Sequence, residues 1–347
     1  MTVNHSNNIY NSKVSKMPTS NKTFIGIDIS KDSFSAALGQ HNDKWQVRDY
    51  KNDSQGFAQL FKDLNTVNNP HLVLEATGNY SMGLTFAACD ANITVSVLNP
   101  KQSSGFIQGV MLSTTKTDHQ DACALALYGY ANQPTPFQPP SDKILTVRQL
   151  ATLLRQLKKD KSAVDNRLHA LAYHVAPLDF VWQSLEQQQQ CLQDQIEQVK
   201  NKLNTASREA YEQAYELALS VKGIGPATAE AILSATNAFE HFDNAKQVAK
   251  AIGVCPSRYE SGSSVKRRGS ITKTGDPNLR ALLYMGARSA KRYNPACKAL
   301  YERLRHKGKC HKVAMIAVCN KMVRQLFAVI KSQQPYQADF EEKLQKT

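Results

Sequence analysis

Three short apolar segments follow one another near the start of the chain, and an alternation of helix-like and strand-like patterns comes after them. This order constrains the fold more than any other feature. Thr23 to Ser30 reads as a buried strand, Ser33 to Leu38 and Lys44 to Tyr50 as two more, and Asp53-Ser54 as the cap of a helix running to about Leu64. His71 to Ala76 then reads as a strand, Met82 to Asp90 as a helix, Ile93 to Leu98 as a strand and Asp118 to Ala131 as a helix with an apolar face. Gln133-Pro134-Thr135-Pro136 and Pro139-Pro140 close the region.

By analogy with known folds, that order is the order of an RNase H-like α/β domain. The next segment has a different period. Leu150, Leu154, Leu157, Lys161, Val164, Leu168 and Leu171 alternate steps of four and three, as do Leu185, Gln189, Leu192, Ile196, Val199 and Leu203. Two long helices result, broken at His174-Val175-Ala176-Pro177-Leu178. They either fold back on each other or pair with another subunit, with Lys161 and Gln189 as polar interruptions of the seam.

The third region opens with Val221-Lys222-Gly223-Ile224-Gly225-Pro226-Ala227-Thr228-Ala229. This is either a phosphate-approaching turn at a helix start or a tight turn between packed helices. Helices follow over about Pro277 to Ala290 and His311 to Ile330. Charge is concentrated here. Between Pro256 and Lys312, fifteen lysines and arginines stand against three acids, which accounts for +12 of the chain's +14. So local an excess points to a nucleic-acid face rather than a generally solubilising surface. The 347 residues suffice for two or three domains, and no apolar run reads as a membrane span or signal peptide. Seven scattered cysteines without a C-x-x-C pair read as reduced, mostly buried and cytosolic, neither a disulfide framework nor a zinc site.

Against that basic background four carboxylates stand out: Asp28 within Phe24-Ile25-Gly26-Ile27-Asp28-Ile29-Ser30, Glu75 at the end of Leu72-Val73-Leu74-Glu75, and Asp118 and Asp121, three apart on a helix. Adjacent strands would bring Asp28 and Glu75 together, and the helical pair would complete an oxygen cage for one or two Mg²⁺ ions in phosphoryl transfer. Singly, each acid has a plainer role: Asp118 as a helix cap, Asp121 as a solvated helix residue, Glu75 as a surface charge. A second cluster sets Tyr259-Glu260-Ser261-Gly262-Ser263-Ser264 beside Val265-Lys266-Arg267-Arg268-Gly269. Hydroxyls beside cations suit serine attack on a phosphate, but composition by itself favours a flexible Ser/Gly linker that merely touches the backbone of DNA.

Taken in order, these motifs resemble the IS110 group of insertion-sequence transposases. The resemblance rests on Gly26-Ile27-Asp28-Ile29-Ser30-Lys31, Glu75-Ala76-Thr77-Gly78-Asn79-Tyr80, Lys116-Thr117-Asp118 with Asp121-Ala122, Gly223-x-Gly225-Pro226-x-Thr228-Ala229, Ser261-Gly262 and Lys273-Thr274-Gly275-Asp276-Pro277-x-Leu279-Arg280. It implies an RNase H-like (RuvC-like) DEDD domain over 22–140, a coiled-coil helical linker over 141–215 and a mainly α-helical transposase domain over 216–331, with tails at 1–21 and 332–347.

It also implies a cytoplasmic DNA transposase that acts at the nucleoid. Asp28, Glu75, Asp118 and Asp121 would bind Mg²⁺. Ser261 would join covalently to DNA during strand exchange, and Arg267, Arg268, Lys273 and Arg280 would contact phosphate. Many relatives have Ser-Ser-Gly-Gly where this chain has Glu260-Ser261-Gly262-Ser263-Ser264. Ser261 is preferred because it precedes the glycine, with Ser264 second and Ser263 the remaining hydroxyl. The implied partners are element-end and target DNA, a structured noncoding bridge RNA, and further copies of the chain up to a tetramer. The competing function is a metal-dependent junction resolvase or nuclease that uses the carboxylates alone.

Overall fold

The computed structural model describes residues 21–39, 45–100, 103–106, 117–176, 178–256, 259–261, 265–267 and 270–338. These form two units, 1–139 and 140–347. The first holds strands β1 (Thr23–Ile29), β2 (Ser33–Leu38), β3 (Gln46–Lys51), β4 (Pro70–Glu75) and β5 (Thr94–Leu98), with helices α1 (Ser54–Leu64), α2 (Met82–Asp90) and α3 (Asp118–Asn132).

The strands pair in the order β3-β2-β1-β4-β5. β1, β2 and β3 form an antiparallel meander, whereas β4 and β5 join β1 in parallel. The pleat sends alternate side chains to opposite faces. Ile25, Ile27, Leu72 and Leu74 pack with Leu60 and Leu64 of α1 and Leu84 and Ala88 of α2 on one face. On the other, Phe24, Val73 and Leu98 pack with Leu125 and Tyr130 of α3. This mixed sheet, layered by helices, is consistent with an RNase H-like domain. β3 starts at Gln46 rather than Lys44, and five of its six residues are exposed or half-buried, as befits an edge strand.

Small residues decide how closely α3 sits on the sheet. Ala37 of β2 and Ala122 and Ala126 of α3 are fully buried together. A Cβ on Gly26 would lie 1.9 Å from the Ala122 carbonyl oxygen and 2.3 Å from the Ala126 nitrogen. Only glycine fits there. A Cβ on Gly129 would likewise meet the Phe24 ring at 2.6 Å, so α3 runs antiparallel to β1.

The second unit begins with α4 (Asp142–Leu171) and α5 (Asp179–Ser220), which fold back on each other. Val147, Leu154, Leu157, Ile196, Val199 and Leu203 are buried in one core. The two polar seam positions are satisfied by a single acid: Lys161 Nζ lies 3.0 Å from Asp165, and Gln189 donates to the same carboxylate. α5 breaks its helical geometry at Glu212. Helices α6 (Pro226–Thr236), α7 (Ala245–Ile252), α8 (Pro277–Tyr293), α9 (Pro295–His306) and α10 (His311–Ser332) follow, with a two-stranded hairpin, β6 (Tyr259–Ser261) and β7 (Val265–Arg267), between α7 and α8.

Sequence reading missed α9, although Asn294 caps it by accepting from the Cys297 backbone N–H at 3.2 Å and Pro295 starts it. It also saw no strands around the serines. α10 corrects the reading that no apolar run approaches a membrane span: its 22 residues have a window of mean hydropathy 1.6. Ala314, Met315, Val318, Cys319, Met322, Val323 and Leu326 are all buried within the unit, so this is a core helix. All seven cysteines are free thiols; Cys297 and Cys319 are buried and Cys191 and Cys310 exposed, so "mostly buried" was too general.

Candidate active-site residues and family

Strand register sets the acids in a row. Ile27 pairs with Leu74 in the last β1–β4 pair, so Asp28 and Glu75 each stand one residue beyond it on adjacent parallel strands. Asp28 faces Ser35 across β1–β2, and Ser35 faces Asp49 across β2–β3. Side chains in register share a face. Glu75, Asp28, Ser35 and Asp49 therefore form one cross-strand row, two residues beyond the row Val73, Gly26, Ala37 and Val47 on which α3 rests.

Because α3 runs antiparallel to β1, its contacts step from Gly129 at Phe24 to Ala122 at Gly26. The next step along β1 is Asp28, and the next turn of α3 contains Asp118 and Asp121. The acids at the strand ends and those at the helix start thus belong to the same face and the same end of the sheet. Thr117, not Asp118, caps α3: its hydroxyl accepts from the Gln120 backbone N–H at 3.3 Å. Asp121 is buried and Asp118 exposed. Both acids favour the positive end of the helix dipole.

Further groups fix this row. Ser103, in a short helical turn at 103–106, donates to Glu75 Oε2 at 2.8 Å. Ser35 donates to Asp49 Oδ1 at 2.6 Å, and His119 Nε2 lies 3.0 Å from the same oxygen. The Ser35 hydroxyl, and after it His119, hold the Asp49 carboxyl below its usual range. Sequence reading passed over Ser35, Asp49, His119 and Ser103. For Asp49 the alternation of β3 was the available signal, and His119 stands between the two helical acids.

Among the described residues, no three His, Cys, Asp or Glu side chains are gathered so as to hold a metal ion. The donor chemistry nevertheless suits a hard divalent cation, since every acid in the row and the helix turn offers only oxygen.

The serine hairpin rises from a narrow neck. The Thr272 backbone N–H donates to the Cys255 carbonyl at 3.0 Å and that of Lys273 to the Gly253 carbonyl at 3.3 Å, with a bridge between Pro256 and Ile271. Gly253 (φ +80°) and Gly275 (φ +74°) have no room for a Cβ: it would fall 2.2 Å from the Thr274 oxygen and 2.3 Å from the Ala251 oxygen. Arg280 Nη1 donates to three carbonyls at this neck, those of Ile252 (3.2 Å), Thr274 (2.7 Å) and Gly275 (3.1 Å). Asp276 caps α8 and is paired with Arg155 of α4 at 3.5 Å.

Lys273 is exposed at the neck. Ser261 ends β6 opposite Val265, and Arg267 lies in β7 opposite Tyr259. Ser263, Ser264 and Arg268 lie outside the described residues. At the earlier glycine motif, Gly223 (φ +103°) would place a Cβ 2.6 Å from the Ala290 Cβ, so this glycine is required for helix packing. Gly225 caps α6, and a Cβ there would meet nothing within 4 Å.

A mixed sheet consistent with an RNase H-like domain, with acids at one end, and a helical unit rich in arginine and lysine agree with a DNA-processing enzyme. Residues 25–177 match the transposase family of the DEDD IS110 type, and residues 215–302 match the Transposase IS116/IS110/IS902 family. The chain is 31% identical over 322 residues to the pilin gene-inverting protein of Moraxella bovis, covering 91% of this chain and 98% of that one. It is 30% identical over 322 residues to the protein of the same name in Moraxella lacunata, with the same coverage. It is 28% identical over 165 residues to a probable family 20 transposase of Pseudomonas aeruginosa, 46% of this chain and 48% of that one. The chain belongs to the IS110 family of transposases and is a DNA transposase by that membership. The DEDD match points to a divalent metal.

Proposed function

We propose that the chain exchanges DNA strands through a covalent phosphoserine intermediate, with Asp28, Glu75, Asp118 and Asp121 holding Mg²⁺ beside the phosphate. The observation that carries the reading is the common face and common end on which strand register and the antiparallel course of α3 set those four acids. Bound Mg²⁺ supplies charge neutralisation at the phosphate and lowers the barrier to displacement. The rest falls to the protein. The Ser261 hydroxyl oxygen attacks phosphorus, its proton passes to solvent, a serine–phosphate ester forms, and one sugar oxygen leaves as a hydroxyl. A sugar hydroxyl from the partner strand then displaces serine, so the number of phosphodiester bonds is unchanged.

Arg267, Arg268 and Lys273 neutralise the phosphate as charge develops on its oxygens. Arg280 serves here too, and its carbonyl contacts at the neck favour holding the hairpin in place as its first task. The domains are 22–140 for the acids, 141–215 for a coiled-coil linker and 216–331 for the serine. Copies of the chain assemble as a dimer or tetramer. The apolar side chains Tyr173, Val175, Leu178 and Phe180, exposed around the α4–α5 turn, support contacts between copies. A structured bridge RNA pairs with element-end and target DNA in the cytoplasm, at the nucleoid. The full-length match to pilin gene-inverting proteins favours inversion as a second outcome of the same chemistry, set by the placement of the two sites.

The test is to incubate full-length protein with element-end DNA, target DNA, Mg²⁺ and the RNA transcribed beside its gene, then denature and look for DNA bound covalently to protein. An adduct that Ser261→Ala abolishes is expected. Cleavage by Ser261→Ala that leaves free 5′-phosphate ends would instead establish a nuclease using the carboxylates alone.

A further inference from the structure

Four residues outside the acid quartet connect the edge of the sheet to the start of α3. His119 sits between Asp118 and Asp121 in the first turn of that helix and reaches Asp49 on β3, at 3.0 Å to Oδ1 and 3.1 Å to Oδ2. Asp49 is held from the other side by Ser35 at 2.6 Å, and Ser35 is the cross-strand neighbour of Asp28. The chain of contacts therefore begins beside one acid of the quartet and ends between two others. The fourth residue is Thr117, whose carbonyl accepts from the backbone N–H groups of both Gln120 (2.9 Å) and Asp121 (3.0 Å), closing the turn that His119 anchors.

The His119–Asp49 pair is a poor device for stability. Its side chains are 53% and 62% exposed, and solvent-screened pairs of this kind contribute little to folding. It is well placed for geometry. Farther along α3 the close approaches at Gly26 and Gly129, with the packing of Ala122, Leu125 and Ala126 on the sheet, fix the body of the helix. Its first turn, where Asp118 and His119 are exposed, lacks such packing, and helix ends fray. The His119–Asp49 contact ties that turn to the edge strand, and a displacement of the turn changes the spacing of its acids to Asp28.

We infer that Asp49 and His119 are positioning residues of the acid site: together they fix the first turn of α3 over the strand ends and so set the spacing of Asp118 and Asp121 to Asp28. This rests on the reading of the quartet as the site of metal and phosphate.

The test uses full-length, metal-free protein, Mn²⁺ as the probe ion, and the variants Asp49→Ala, His119→Ala, His119→Gln and the double alanine. Hydrogen exchange at 118–124 rises about tenfold in each single alanine variant, while the melting temperature stays within about 2 °C of the parent. Half-saturating Mn²⁺, read by titration of the free protein, rises by about the same factor. Glutamine, which can still donate to Asp49, restores most of both. The double alanine variant is no worse than Asp49→Ala, because that substitution already removes the His119 contact along with the one from Ser35.

Unchanged exchange and Mn²⁺ affinity in the alanine variants, or additive losses in the double variant, would overturn the inference. Asp28→Ala separates the two levels. If Asp28→Ala loses Mn²⁺ binding and adduct formation while the Asp49 and His119 variants behave as the parent, only the positioning role fails. If Asp28→Ala keeps both, the reading of the quartet fails with it.

Discussion

Replacing Gly26 with alanine perturbs the contact between β1 and α3 directly. The added Cβ would stand 1.9 Å from the Ala122 carbonyl oxygen, where about 3 Å is the closest such contact that packed interiors tolerate. Both obstacles, Ala122 O and Ala126 N, are backbone atoms, so no side chain can rotate away. α3 must lift from β1 by about 1 Å. Overpacking of this kind costs about 1–3 kcal/mol, and a displacement of that size at reacting groups costs about 100-fold in rate. Gly83→Ala is the control, because its Cβ would meet only the Phe57 ring at 3.3 Å and it replaces a helical glycine. Calorimetry of both variants is paired with the rate of covalent adduct formation. Gly26→Ala is expected to melt several degrees lower than the parent and to form adduct about 100-fold more slowly, with Gly83→Ala near the parent in both. A Gly26→Ala protein that melts lower yet reacts at the parental rate would refute the link between the β1–α3 contact and the acid site.

Burial, with a smaller contribution from Lys22, lowers the His71 pKa from 6.5 to about 4. The neutral ring is stabilising above pH 6.5, and that contribution shrinks as pH falls from 6.5 toward 4, by about 2 kcal/mol at pH 5. Denaturant midpoints of the parent should fall over that window more steeply than those of His71→Phe, and parallel curves would exclude the assignment. Arg280→Ala should lower adduct yield about tenfold at saturating DNA, with affinity within about twofold, because the neck loosens. A loss of affinity with an unchanged yield would instead make phosphate contact, not the neck, the first task of Arg280. Asp165→Ala, which strands half-buried Lys161 and Gln189, should lower the thermal unfolding midpoint, and an unchanged midpoint would show that the seam does not depend on this carboxylate.

What the sequence disclosed followed the physics of each segment. β1, β2 and β4 are apolar runs between turn residues, and α2 was bounded at Met82 and Asp90 as observed. β3 was harder to place because an edge strand has no strong apolar signature, and its start moved from Lys44 to Gln46. The β6–β7 hairpin escaped because its strands are three residues each and polar, too short for alternation to register. Heptad spacing marked the α4–α5 seam but could not choose between closure within the chain and pairing between chains; the structure closes it within the chain. At the acid site, register converts Asp28 and Glu75 from two isolated motifs into neighbours. The Asp49–His119 contact joins positions 70 residues apart, and no local pattern encodes such a distance.

The neck beneath the serine hairpin has a consequence for the length of the chain it closes. Both ends of that excursion leave the helical core through Gly253 and Gly275, held together by backbone contacts and by Arg280. With the neck closed in this way, doubling the length of chain between Pro256 and Ile271 costs only about 0.6 kcal/mol of closure entropy. The chain between those ends can be lengthened or shortened while the neck keeps its closure. That closure depends on two glycines and an arginine.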